Sequence, residues 1–198
     1  MHQYLLRLVL IAITVSHRAN GKRPGHYTEL VIRPLSAERC PGLQDLALTW
    51  ANASLRMAGR THVVMDIDAV FSRPASQLKR LCVWKKACSE AVSSNTCSHP
   101  MEWNFSSNVC RMLTLPHMPW TPILQSMQPS LKCPIESGNY SGHNIAFDTS
   151  IAKVFGGESI REGYVHVVKG TLFDQDNRPF ACLQVTADII RIKKKADN

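Results

Sequence analysis

The stretch THVVMDIDAVF, residues 61–71, constrains the fold more than any other part of the chain. Val63, Met65, Ile67, Ala69 and Phe71 fall on one side of a two-residue repeat, and His62, Val64, Asp66, Asp68 and Val70 on the other. An apolar face backed by a polar one at this period is the pattern of a half-buried antiparallel strand. Asp66 and Asp68 then read as the wet side of a sheet rather than as paired catalytic carboxylates. The same alternation returns in EGYVHVVKGTLFD (162–174). It returns again in FACLQVTADIIRIK (180–193), with Ala181, Leu183, Val185, Ala187 and Ile189 on one face. The turn-forming DQDNRP between these two makes them an antiparallel hairpin. LALTWANASLRM (46–57) reads as one or two strands around a turn, Tyr27–Ile32 as a short strand ending before Pro34, and GHNIAFDTSIAKVF as a strand followed by a loop. Residues 82–133 lack alternation and are rich in cysteine and proline, with one short helix predicted over Pro122–Met127. There is no βαβ alternation and no internal repeat. The pattern predicts an all-β, two-sheet antiparallel sandwich with a short helical excursion, and 198 residues suit a single domain.

The first twenty residues stand outside that domain. Leu5-Leu6 and Leu8–Val15 form an apolar run too short to span a bilayer but of the length of a secretory leader, with small residues at Ser16, Ala19 and Gly21 for cleavage. Residues 1–20 are therefore assigned as a signal peptide and 21–198 as the domain. Export makes the seven cysteines a disulfide framework with one thiol left over. Cys82, Cys88, Cys97 and His99 do not have a zinc spacing, so no metal is expected. Three N-x-S/T acceptors, at Asn52, Asn104 and Asn139, fit passage through the secretory pathway. The formal charge of +8 is not laid out as a nucleic-acid stripe. Lys79-Arg80, Lys85-Lys86 and Arg191–Lys195 read as solvated surface, or as basic clusters able to meet anionic lipid head groups.

Taken in order, SNVCRML, KCPIESGNYSG and REGYVHVVKGTLFDQDNRPFACLQVTADI resemble the ganglioside GM2 activator family, within the wider MD-2-related lipid-recognition proteins. An arthropod branch of CheB-type chemosensory proteins shares much of the C-terminal half. The resemblance runs from about Cys40 to the end. It implies a cup-like β-sandwich with a lipid cavity between its sheets. It also implies pairing of Cys40 with Cys182 and of Cys110 with Cys133, bonds of about 5 and 3 kcal/mol as upper figures from loop-closure entropy. The chain has one cysteine fewer than the family's even set. Cys88–Cys97 is the favoured third pair, leaving Cys82 free, with Cys82–Cys88 the alternative.

A lipid cup has a physical rationale. A sixteen-carbon chain prefers an apolar medium to water by about 12 kcal/mol, and a close-packed core has no room for it. The carrier must also touch a bilayer to load. Val154 and Phe155, beside Gly156-Gly157, and Met118 with Trp120 are the candidate apolar contact loops. The expected function is non-enzymatic lipid binding or transfer by a secreted or lysosomal protein. Its partners would be a lipid or glycolipid, a membrane surface transiently, and a lysosomal glycosidase or a receptor; no cofactor and no nucleic acid are expected. The alternative is an extracellular chemosensory module that binds a small hydrophobic cue or a receptor. The chain carries no G-x-S-x-G elbow, no H-E-x-x-H and no phosphate-binding glycine loop, which argues against an enzyme.

Overall fold

In a computed structural model the chain is described over residues 26–58, 62–89, 92–93, 95–118, 120–148 and 162–195. Eight strands and two short helices are defined there. They are β1 His26–Arg39, β2 Leu48–Ala58, β3 His62–Phe71, β4 Leu78–Cys88, β5 Met101–Phe105, α1 Val109–Leu113, α2 Thr121–Ser126, β6 Gly138–Asp148, β7 Val165–Asp174 and β8 Pro179–Lys195. The outer ends of β1 and β8, residues 26–29 and 192–195, fall outside the larger unit, Leu30–Arg191.

The strands form a five-stranded sheet in the order β1-β8-β7-β4-β5 and a three-stranded sheet in the order β2-β3-β6. The pairings β2–β3, β3–β6, β4–β5, β4–β7 and β7–β8 are all antiparallel. The fold is thus all-β with two antiparallel sheets. Along β3 burial alternates residue by residue, with Val63, Met65, Ile67, Ala69 and Phe71 inside. Their neighbours Asp66 and Asp68 lie on the outer face.

The two sheets meet in one core. Met65, Ile67, Ala69 and Phe71 of β3 and Tyr140 and Ile145 of β6 share it with Leu78, Phe180 and Ala181 of the larger sheet. Phe180 is fully buried because the β7–β8 register slips there: Leu172 pairs with Ala181 and Phe173 with Pro179, and the residue left over turns into the core. At the same end Asp174 is completely buried in the β7–β8 turn. It accepts the backbone N–H groups of Asp176 and Arg178 at 3.0 and 2.9 Å and an Arg73 contact at 3.3 Å. Arg73 also donates to the carbonyls of Asp45 and Pro179, so one guanidinium ties a loop, a turn and a strand together.

Several sequence expectations need correction. Residues 46–57 hold no turn: β2 runs unbroken apart from a register shift between Leu48 and Trp50, and Asn52 lies inside it. β1 does not stop before Pro34 but runs to Arg39, because an edge strand tolerates a residue without an N–H. The region read as lacking strands contains β4 and β5.

Three disulfides are present: Cys40–Cys182, Cys88–Cys97 and Cys110–Cys133. The first joins the end of β1 to β8, and the third staples the start of α1 to the segment entering β6. Between those staples α1 packs on β4 and α2 on β6, so the excursion bridges the two sheets. At Gly142, on the inner face of β6, an added Cβ would lie 2.8 Å from Ile145 Cδ1 and 3.1 Å from Met127 Sδ. The end of α2 is seated there, and the strand needs glycine to receive it.

Candidate functional site

Register across the larger sheet decides which of its side chains share a face. Phe105 lies beside Leu81, Leu172 and Ala181 in one row; Trp103 beside Val83, Gly170 and Leu183 in the next; Met101 beside Lys85, Val168 and Val185 in the third. Leu81, Leu172, Ala181 and Leu183 touch the shared core, so these rows form the inner face. Within these three rows the face is apolar except for Lys85.

That face is not filled. Phe180 and Ala181 are buried at one end, and His166 and Ala187 at the other. Between them Met101, Trp103, Phe105, Val168 and Val185 are each 36–42% exposed. Gly170 sits in the middle row, and no heavy atom of the described residues lies within 4 Å of the place its Cβ would take. The contrast with Gly142 is direct: one inner-face glycine is covered by a helix end and the other opens on empty space. The result is a trough lined by exposed valine, tryptophan and methionine on a face that a close-packed sandwich would cover.

Lys85 stands in the outermost of these rows, between Met101 and Val168. Burial pushes its ammonium pKa below the usual lysine value. It is the one described charged side chain in the three rows.

The other predicted site residues lie elsewhere. Val154 and Phe155 fall outside the described residues. Met118 and Trp120 are half-buried, and the Trp120 indole N–H donates to the Met112 carbonyl at 3.1 Å, tying the start of α2 to the end of α1. Asn52, Asn104 and Asn139 are all exposed. Cys82 is the free cysteine. It sits on the outer face of β4, 3.3 Å from Glu102 Oε1, and burial together with that carboxylate raises its thiol pKa. Sequence reasoning did not single out Met101, Trp103, Phe105, Val168 or Gly170, and it read Lys85 with Lys86 as a surface basic cluster, whereas Lys85 lies partly buried in the inner-face rows.

Asp66 and Asp68 share the outer face of β3 with His143 at 3.9 and 3.8 Å. Asp66 accepts the Asn144 backbone N–H at 2.7 Å and Arg56 at 2.9 Å. The Asn144 bond, with Arg56 assisting, holds its carboxyl below the usual range. This is a surface network on the outer face of a packed sheet. Among the described residues no group of three or more His, Cys, Asp or Glu side chains is placed to hold a metal. No described helix is long and apolar enough to cross a membrane.

No protein-family model matches the chain, and no curated protein sequence does. Among solved structures it is similar to chicken MD-1 complexed with lipid IVa, at 15% identity and a TM-score of 0.34, over 84% of this chain and 98% of that one.

Proposed function

We propose that this protein binds a lipid-like ligand in the trough on the inner face of its larger sheet. The open, apolar inner face around Gly170 carries the reading. Exposed Trp103, Val168 and Val185 leave several large side chains in water, and an acyl chain laid across them would be favoured by about 0.8 kcal/mol per buried CH₂. The residue order that resembles the ganglioside GM2 activator family supports the same function and a place within the MD-2-related proteins. Three disulfides and the apolar leader support secretion. Release of lipid to a membrane or a hydrolase is the natural use of such a carrier, because the trough holds its ligand without bonding to it.

The test is titration with a fluorescent fatty acid. Gly170→Ile puts a side chain into the open space and should weaken binding at least tenfold while leaving the urea midpoint in place. Val168→Thr with Val185→Thr, which puts hydroxyls on the trough floor without opposed charges, should also weaken binding. Binding unaltered in both variants would remove the trough from the function.

A further inference from the structure

The two sheets have four edges among the described residues: β1 and β5 in one, β2 and β6 in the other. The chain has three N-linked acceptor motifs, and each begins on an edge strand: Asn52 on β2, Asn104 on β5 and Asn139 on β6. None falls on the interior strands β3, β4, β7 and β8. All three asparagines are exposed. By register Asn52 lies opposite Asp68 and Asn104 opposite Cys82, which puts both side chains on outer faces, away from the trough. Each position is open to a bulky modification that would not enter the core.

We infer that N-glycans at Asn52, Asn104 and Asn139 cover the sheet edges and keep the protein from pairing with other copies of itself. An edge strand offers unpaired N–H and C=O groups to any passing strand, and proteins blunt such edges in several ways. β5 needs cover most. All five of its residues are exposed, and Met101, Trp103 and Phe105 are each more than 40% exposed. One face of this short edge is thus wholly apolar and aromatic-rich, a surface that favours strand stacking between molecules, while the other carries only Glu102 and Asn104. A sugar on Asn104 would stand on the opposite face of the same five residues. On the smaller sheet, Gln128 covers part of the β6 edge by exchanging backbone bonds with Ser141 at 2.6 and 2.9 Å. Asn139, two residues earlier, turns its backbone groups to the same side. Trp50 is 48% exposed, two residues before Asn52 on β2 and across Val70 from Asn139, so glycans at those two sites would flank it.

This inference shares Met101, Trp103 and Phe105 with the trough but needs no ligand there. The full chain is expressed in cultured secretory cells with a mannosidase inhibitor, so that the glycans remain trimmable, and site occupancy is mapped by peptide mass spectrometry. All three asparagines should carry sugar. An endoglycosidase then trims the folded protein to one sugar per site. At about 100 µM, where exposed strand edges associate, the untrimmed protein should be monomeric by light scattering. The trimmed protein should shift to dimers and larger species. Ser106→Ala, which removes the Asn104 motif alone, should reproduce most of that shift. Backbone amide exchange in β5 should be slower in the associated form. An unoccupied Asn104, a trimmed protein that stays monomeric, or association that leaves β5 exchange unchanged would each overturn the inference. If the serine variant is retained in the cell, trimming the wild-type protein still decides.

Discussion

Phe71 of β3 stacks on Phe180 of β8, with ring centroids 5.2 Å apart and planes 14° from parallel. The contact joins the two sheets, and Tyr140 of β6 meets Phe71 edge-on at 5.3 Å. Phe180 is fully buried, so truncation leaves a cavity at the closed end of the sandwich. Phe180→Ala is expected to cost about 3–5 kcal/mol, read as a fall in the urea midpoint. A loss under about 1 kcal/mol would mean that this end collapses freely, against the close packing described for it.

Asp174 makes stability depend on acid. Burial alone would raise its pKa, but the backbone N–H groups of Arg178 and Asp176, with Arg73 and Arg178, outweigh it and hold the folded value below the usual one. A carboxyl depressed on folding adds stability above its unfolded pKa, and that stability is lost as pH falls through the folded one. The stabilisation from Asp174 should therefore be complete above about pH 4 and decline below it. Asp174→Asn should cost about 3 kcal/mol at neutral pH and flatten the acid limb of a pH–stability curve. An unchanged limb would assign the acid sensitivity to other carboxyls.

The two inner-face glycines should answer oppositely to the same substitution. Gly142→Val forces a side chain into Ile145 and Met127 and should cost about 1–3 kcal/mol. Gly170→Val meets nothing and should be neutral, or stabilising by up to about 1 kcal/mol, since glycine weakens a strand interior. Chemical denaturation of the two variants side by side measures the difference. Equal losses would mean that the space at Gly170 is filled in solution.

The strands with a polar outer face were legible in the sequence. β3 shows its two faces in its own alternation, and β7 and β8 nearly so. β4 was not, because its inner face includes Lys85 and its outer face includes Trp84 and Cys82, so polarity does not follow the two-residue period. β5 does alternate, Met101, Trp103 and Phe105 against Glu102 and Asn104, but its five residues are too short a run to stand out from the cysteine-rich stretch around them. The trough was hidden for a different reason. Val168 and Val185 sit in apolar alternation like that of any buried strand, and only their exposure in the fold distinguishes them. Gly170 likewise gives no sign in sequence whether its missing side chain makes room for a neighbour, as at Gly142, or for a ligand.

Lys85 bears on the chemistry of the ligand's head. The Lys85 ammonium, in the row of Met101 and Val168, is held below its usual pKa by burial, so the folded chain binds that proton less readily than the unfolded one. The charged form thus carries a cost that is relieved as pH rises through the folded pKa. A carboxylate or phosphate placed beside it would relieve the same cost at neutral pH, because an opposite charge favours the ammonium. A free fatty acid should therefore bind more tightly than its methyl ester, by about tenfold or 1.4 kcal/mol. Lys85→Met should abolish the preference while leaving ester binding unchanged, since it keeps the apolar stem and removes the charge. Paired titrations of acid and ester against both proteins check this. Equal affinities in the wild-type protein would show that the head of the ligand lies away from Lys85.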